Sequence, residues 1–139
     1  MAPVTKLEVE SAVRQYWNVS AAKDAERQRN SYCDDAFIFT SSSKRLEVAR
    51  LVSMRRGREY LASSTKLRVE LGTVEVALLG PDAAVSAYTL QFHTEQIPTQ
   101  GTVAKNPEEH LDNARVTQVF LRTHEGVLQI VHEHISVPQ

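Results

Sequence analysis

The sequence predicts an α+β fold in a single domain over residues 1–139, with helices first and a sheet after them. Two observations carry this. Before Lys66 the apolar residues recur mostly every three or four positions, the period of an amphipathic helix; from Lys66 onward they alternate, the period of a strand. Three helical segments followed by successive strands, with no helix between those strands, form an antiparallel meander wrapped over a helical layer. A chain of 139 residues has enough material for one ordinary core.

The first helix is marked by its start. The stretch TKLE at 5–8 has capping-box spacing, with Thr5 as N-cap and Glu8 reaching back. Val9, Val13, Trp17 and Ser20 then recur every three or four residues, which places Tyr16 and Trp17 at the edge of the apolar face. Residues 22–33 (AKDAERQRNSYC) read as a second, shorter helix, AFIFT at 36–40 as a short β-type run, and SSSKR after it as a polar loop. Residues 47–61 read as a third helix, carrying Leu51, Met54 and Leu61 among several arginines. Gly57 within it costs about 1 kcal/mol against alanine, so a break or kink is expected there.

The strands follow. LRVELGTVEVALL (67–79) reads as one long strand and GPDA as a turn, by its Gly-Pro-Asp content. AVSAYTLQFHT (84–94), ARVTQVFLR (114–122) and VLQIVHEHIS (127–136) are three more, the last two joined at THEG. The polar stretch 95–113, with Pro98, Gly101 and Pro107, is expected to be a mobile loop or a flap over the pocket or interface edge.

Composition excludes several classes. Apolar residues make up 42% and charged residues 24%, the balance of a soluble globular chain. Sixteen Lys and Arg against 17 Asp and Glu give a formal charge of -1, which argues against a nucleic-acid partner, since that calls for a basic stripe. No apolar run approaches the roughly 20 residues of a membrane span, and the N-terminus lacks the apolar core of a signal peptide. A lone cysteine, Cys33, makes no internal disulfide and suits a reducing cytoplasm. Its ordinary role is that of a small hydrophobe, because no base can be placed beside it.

The opening helix with its Trp, together with SYCDDAFIF, GPDAAVSAY, RVTQVFLR and above all the closing LQIVHEHIS, resembles the SnoaL-like branch of the nuclear-transport-factor-2-like superfamily. The likeness runs over essentially the whole chain. The closing strand is also similar to that of the association (hub) domain of calcium/calmodulin-dependent kinase II. The resemblance implies a cone: N-terminal helices packed in the concave face of a curved, mainly antiparallel sheet, enclosing a pocket. It also implies a homodimer through the outer face of the sheet, with larger hub-like rings as an alternative. Its implication for activity is loose, because the superfamily holds isomerases, cyclases, dehydratases and hydrolases beside many binding and assembly domains.

The stretch HEH at 132–134 poses the chemical question. On one strand His132 and His134 share a face and Glu133 takes the other. In the hub domain, the positions matching Leu90, Gln118 and Ile135 carry arginines that face the pocket. None of the three is arginine here, which departs from an anion-binding pattern. That register turns Gln118, Glu133 and Ile135 to the pocket and both histidines to the outer, interface side. With Tyr88, Leu90, Phe92, Phe120 and Val131 on the same face, and Tyr16 and Trp17 from the first helix, the implied lining is mostly apolar. It suits a small apolar or aromatic ligand, although the same side chains also serve as plain core. Glu133 has two readings. A carboxylate in an apolar pocket can move a proton near neutral pH, in an isomerase, cyclase or hydratase where Tyr16 or Tyr88 orients the substrate. The plainer reading pairs it with a basic group from a helix, such as Arg55 or Arg58. No metal is expected, because zinc needs three or four ligands and His93, His110 and His124 have no ligand spacing. No cofactor motif is present, and none is expected. The run RLVSMRRGR (50–58), with Arg50, Arg55, Arg56 and Arg58, reads as a solvated face or as cations at the pocket mouth. The expectation is thus a soluble, cytoplasmic homodimer with a small-molecule pocket and no assigned chemistry.

Overall fold

The computed structural model describes residues 2–41, 44–62, 65–96 and 109–138. Helix α1 spans Lys6–Ala21 and starts where the capping signal places it: Thr5 Oγ1 accepts from the Glu8 backbone N–H at 3.1 Å. It buries Val9, Val13, Tyr16, Trp17, Val19 and Ser20. Helix α2, Ala25–Asn30, is shorter than its sequence pattern. Lys23 takes a left-handed φ of 56° and Asp24 caps the new start, while the chain leaves the helix after Asn30 to begin strand β1, Tyr32–Phe39. Tyr32 was expected in the helix; pairing with Ile130 and burial of its ring place it in the sheet instead.

Strand β2 (Glu47–Val48) pairs with β1, and helix α3 (Ala49–Ala62) follows directly. The helix runs through Gly57 without the break that was one of the two expectations there. Its first half buries Ala49, Val52 and Ser53, whereas Leu51, Met54 and Leu61 are exposed.

The long strand expected at 67–79 is two strands, β3 (Thr65–Leu71) and β4 (Glu75–Leu78), both paired with β5 (Ala83–Gln96). Gly72 separates them. Its N–H donates to the Thr89 carbonyl at 2.9 Å, and a Cβ there would run into Thr89 Oγ1 and press on that carbonyl, so any other residue would force Thr89 to move. Strands β6 (Glu109–Arg122) and β7 (Leu128–Ser136) complete the sheet in the order β2-β1-β7-β6-β5-β3. Strands β5 and β6 pair as far out as Thr94 and Glu109, so the connection is shorter than 95–113. The flap expected there falls mainly on residues outside those described.

All pairings are antiparallel except β1 with β7, which is parallel. The early strand β1 therefore joins the meander at its last member. The result is an α+β cone, a curved sheet with the helices in its concave face. Both pairings of β7 shift register around Val131, a β-bulge.

Candidate functional site

The apex of the cone is built around Glu133, which has no solvent exposure. A carboxylate at that depth needs hydrogen bonds on both oxygens to offset its lost hydration. It has them. Gln118, directly across on β6, donates from Nε2 to Oε2 at 2.6 Å. Tyr32 donates to Oε1 at 2.9 Å, the Tyr16 hydroxyl lies 3.3 Å from the same oxygen, and Arg56 Nη2 lies 3.7 Å from it. The two phenol oxygens are 2.5 Å apart, and Arg56 Nη1 donates to Tyr32 at 2.9 Å.

Proton directions in the rest of the network follow from one group. The Trp17 indole only donates, here to the Tyr88 hydroxyl at 2.7 Å. Tyr88 then donates to Gln118 Oε1 at 2.6 Å, which leaves the Gln118 amide N–H for Glu133. A second branch runs from Tyr60 to Gln28 Oε1 at 2.7 Å, and from Gln28 Nε2 to Ser20 Oγ at 3.0 Å. Burial pushes the Tyr16 phenol up to about 12, against the pull of Arg56. Burial and then the Glu133 charge hold Tyr32 well above the ordinary phenol range, and burial raises Tyr88. Burial opposes the Arg56 charge, but Tyr16, Tyr32 and Glu133 outweigh it and keep the guanidinium protonated.

Above this network a cavity of about 240 Å³ opens between helices α1, α2 and α3, the residues just after β1, and strands β3, β5 and β7. One wall is apolar, from Trp17, Leu67, Phe92 and Ile135. The other is polar, from Ser20, Gln28, Arg55, Arg56, Glu59 and Tyr60. Trp17 and Phe92 meet edge to face with ring centroids 5.6 Å apart.

Of the residues expected to line a pocket, Tyr16, Trp17, Phe92 and Ile135 do so here. Tyr88, Leu90 and Gln118 are buried beneath it, and Phe120 lines a separate recess with Tyr16. Val131 is a correction: the bulge leaves it half-buried and gives the inward place to Ile130, which is fully buried. The mostly apolar lining is also corrected, since α2 and α3 supply a polar wall. Glu133 points inward but is not on the cavity wall, and its cation is Arg56. Arg55 instead pairs with Glu47 at 2.7 Å, and Arg58 is exposed. His132 and His134 lie on the other face beside Phe37 and Phe39 of β1, with His132 Nδ1 2.9 Å from the Phe37 carbonyl. Among the described residues no three His, Cys, Asp or Glu side chains converge as metal ligands would. Cys33 is half-buried, and its thiol is raised by burial and by Asp35 and Asp34, so a reactive thiolate has no support there.

Sequence reasoning missed Tyr32, Gln28, Tyr60 and the choice of Arg56. The signal for α3 was present: Val52, Arg56 and Tyr60 follow at i, i+4 and i+8, one face of a helix. Nothing local pointed to Tyr32, whose neighbours read as helix.

This arrangement defines a class, α+β cone proteins with a helix-covered cavity over a buried polar apex. Residues 9–139 match the SnoaL-like domain, and the chain belongs to that family. Solved structures agree on the fold. The β subunit of benzoate 1,2-dioxygenase from Burkholderia mallei superposes with a TM-score of 0.80 at 11% identity, over 99% of this chain and 93% of that one. A putative dehydratase of the nuclear-transport-factor-2-like family from Streptomyces avermitilis gives 0.77 at 16%, over 94% and 93%. The association domain of calcium/calmodulin-dependent kinase II from C. elegans gives 0.75 at 17%, over 95% of each chain. No curated protein matches the sequence. No helix among the described residues is long and apolar enough to cross a membrane.

Proposed function

We propose that the protein is a single-domain, homodimeric small-molecule-binding member of the SnoaL-like family. Its ligand is small and largely apolar or aromatic, with a hydrogen-bond acceptor directed at the polar wall. The observation that carries this is the two-sided cavity over a network that already satisfies Glu133. Both Glu133 oxygens are taken by Gln118, Tyr32, Tyr16 and Arg56, which makes Glu133 a fixed counter-ion that orients Arg56 and Tyr16 toward the ligand. The volume lies below the ~300–1,000 Å³ typical of drug-sized ligands, so one or two rings fill it. Trp17 is the sole tryptophan and stands in the wall, so it reports occupancy directly. Titrating one- and two-ring aromatic carbonyl compounds should quench its emission saturably, and Leu67→Phe, which narrows the cavity, should weaken the effect. An unchanged emission across such a panel argues that the space is only a packing defect.

One observation favours an enzyme instead. Tyr16 is in the cavity wall and is joined to Glu133 directly and through Tyr32, a path along which a proton can pass to a substrate, as an isomerase, cyclase or hydratase requires. Another favours hub-like assembly beyond the dimer: α3 turns Leu51, Met54 and Leu61 outward on a surface away from the sheet.

A further inference from the structure

A second recess of about 300 Å³ lies against Tyr16, between α1, the end of α2 and the start of β7. Its floor is apolar, formed by Ala12 and Val19 of α1, Phe120 of β6, and Leu128 and Ile130 of β7. The bulge at Val131 makes this floor. Strict alternation inward from Glu133 would have chosen Val131; the extra residue swings Ile130 in instead. Bulges that re-aim a side chain in this way recur beside functional sites. The rim is preformed as well. The Ile130 N–H donates to the Ser31 carbonyl at 2.8 Å and Gln129 Nε2 to the Asn30 carbonyl at 3.1 Å, which pins the end of α2 to β7.

One formal charge stands at the mouth, that of Arg27. Among the described residues its guanidinium has no hydrogen bond or ion pair, and the adjacent Asp24 is committed to the Arg27 backbone N–H at 3.1 Å. This differs from the first cavity, where Arg55 and Arg56 each already face a glutamate. An uncompensated guanidinium over an apolar floor selects an anion with an apolar body. We infer that this recess is a second binding site, taking a small amphipathic carboxylate whose head meets Arg27 and whose short tail lies on Phe120 and Ile130. A volume at the lower end of the ~300–1,000 Å³ range restricts the tail to a short chain or a single ring.

Isothermal titration of the full chain with octanoate tests the inference, with octanol as the uncharged control. Octanoate is expected to bind, and Arg27→Gln, a change at an exposed side chain, to weaken it about tenfold while leaving octanol unaffected. Ala12→Phe, which fills the floor, should abolish octanoate binding, and Phe92→Ala in the first cavity should leave it unchanged. Three outcomes overturn the inference: no octanoate binding at millimolar concentration, equal weakening of octanol by Arg27→Gln, or binding lost in Phe92→Ala but kept in Arg27→Gln. Trp17 emission follows the first cavity separately, so failure at one site is not mistaken for failure at the other.

Discussion

Glu133 shows how a single charged residue can be tolerated at the centre of a small core. Its cost in lost hydration is offset only because two other strands and two helices direct polar groups at it, so removing the charge disturbs all of them. Glu133→Gln keeps the shape but places an amide N–H against a donor and strips Arg56 of its counter-ion. Urea unfolding should show a loss on the order of 1–3 kcal/mol. Unchanged or increased stability, with turnover of a substrate lost, would instead support the enzyme reading. The phenols set the alkaline limit. All four tyrosines, Tyr16, Tyr32, Tyr60 and Tyr88, hold their protons more tightly than a free phenol, burial being the leading cause for each. A raised folded value means that the stabilisation is complete below the ordinary value of 10.0 and is lost as pH rises through about 12, where Tyr16 ionises in place. Phenolate absorbance should therefore stay low at pH 10 and rise steeply with alkaline unfolding. Half-ionisation at pH 10 in the folded protein would refute the burial.

At the level of elements, helix α3 is two things in sequence: an anchored first half and a second half held by polar contacts. Arg56 and Tyr60 tie that second half to Tyr32 and Gln28, while Met54 and Leu61 lie outside, Leu61 at 92% exposure. Gly57 is its weak position, yet an added Cβ would meet only Ala25 Cβ, at an ordinary 3.7 Å. Gly57→Ala should stabilise the protein by about 1 kcal/mol, read as a higher thermal midpoint; destabilisation would mean that the helix needs to bend there. The same element explains how far the sequence could be read. The start of α1, the presence of α3 and the course of β5 to β7 were legible because each rests on a local signal, a cap or a sustained period. The strand assignment of Tyr32, the Gly72 break and the bulge at Val131 were not, because each is fixed by a partner distant in sequence: Ile130, Thr89 and the paired strands. The site divides in the same way. Alternation separated Glu133 from the two histidines, but only the packing of α3 chose Arg56 over its arginine neighbours.

For the whole molecule, the outer sheet face is where self-association is proposed. Phe37 is 43% exposed there, stacked on His132, with Phe39 beside His134. A two-fold contact brings like positions together, so His134→Glu would set two carboxylates near one another. Sedimentation should show a dimer for the native chain, with at least about tenfold weaker association for the variant. A wild-type monomer at micromolar concentration removes the proposed interface.

The parallel pairing of β1 with β7 has a consequence for the order in which the molecule forms. Tyr32 and Tyr16 reach Glu133 across 101 and 117 residues of chain, and Arg122 clasps Glu8 across 114. Until β7 is in place, β1 lacks its main partner and three polar side chains of the first half have no carboxylate to meet. Closure of these long loops comes late and slows folding relative to a helical bundle of similar size. On the ribosome, where the N-terminal half emerges first, helix α1 must wait for β3, β4 and β5, which pack against it and meet Trp17, with its apolar face uncovered. The polar apex that makes the finished cone specific therefore closes only once β7 supplies Glu133, and until then its buried polar groups stand without their carboxylate in a chain that still exposes unpaired strand edges.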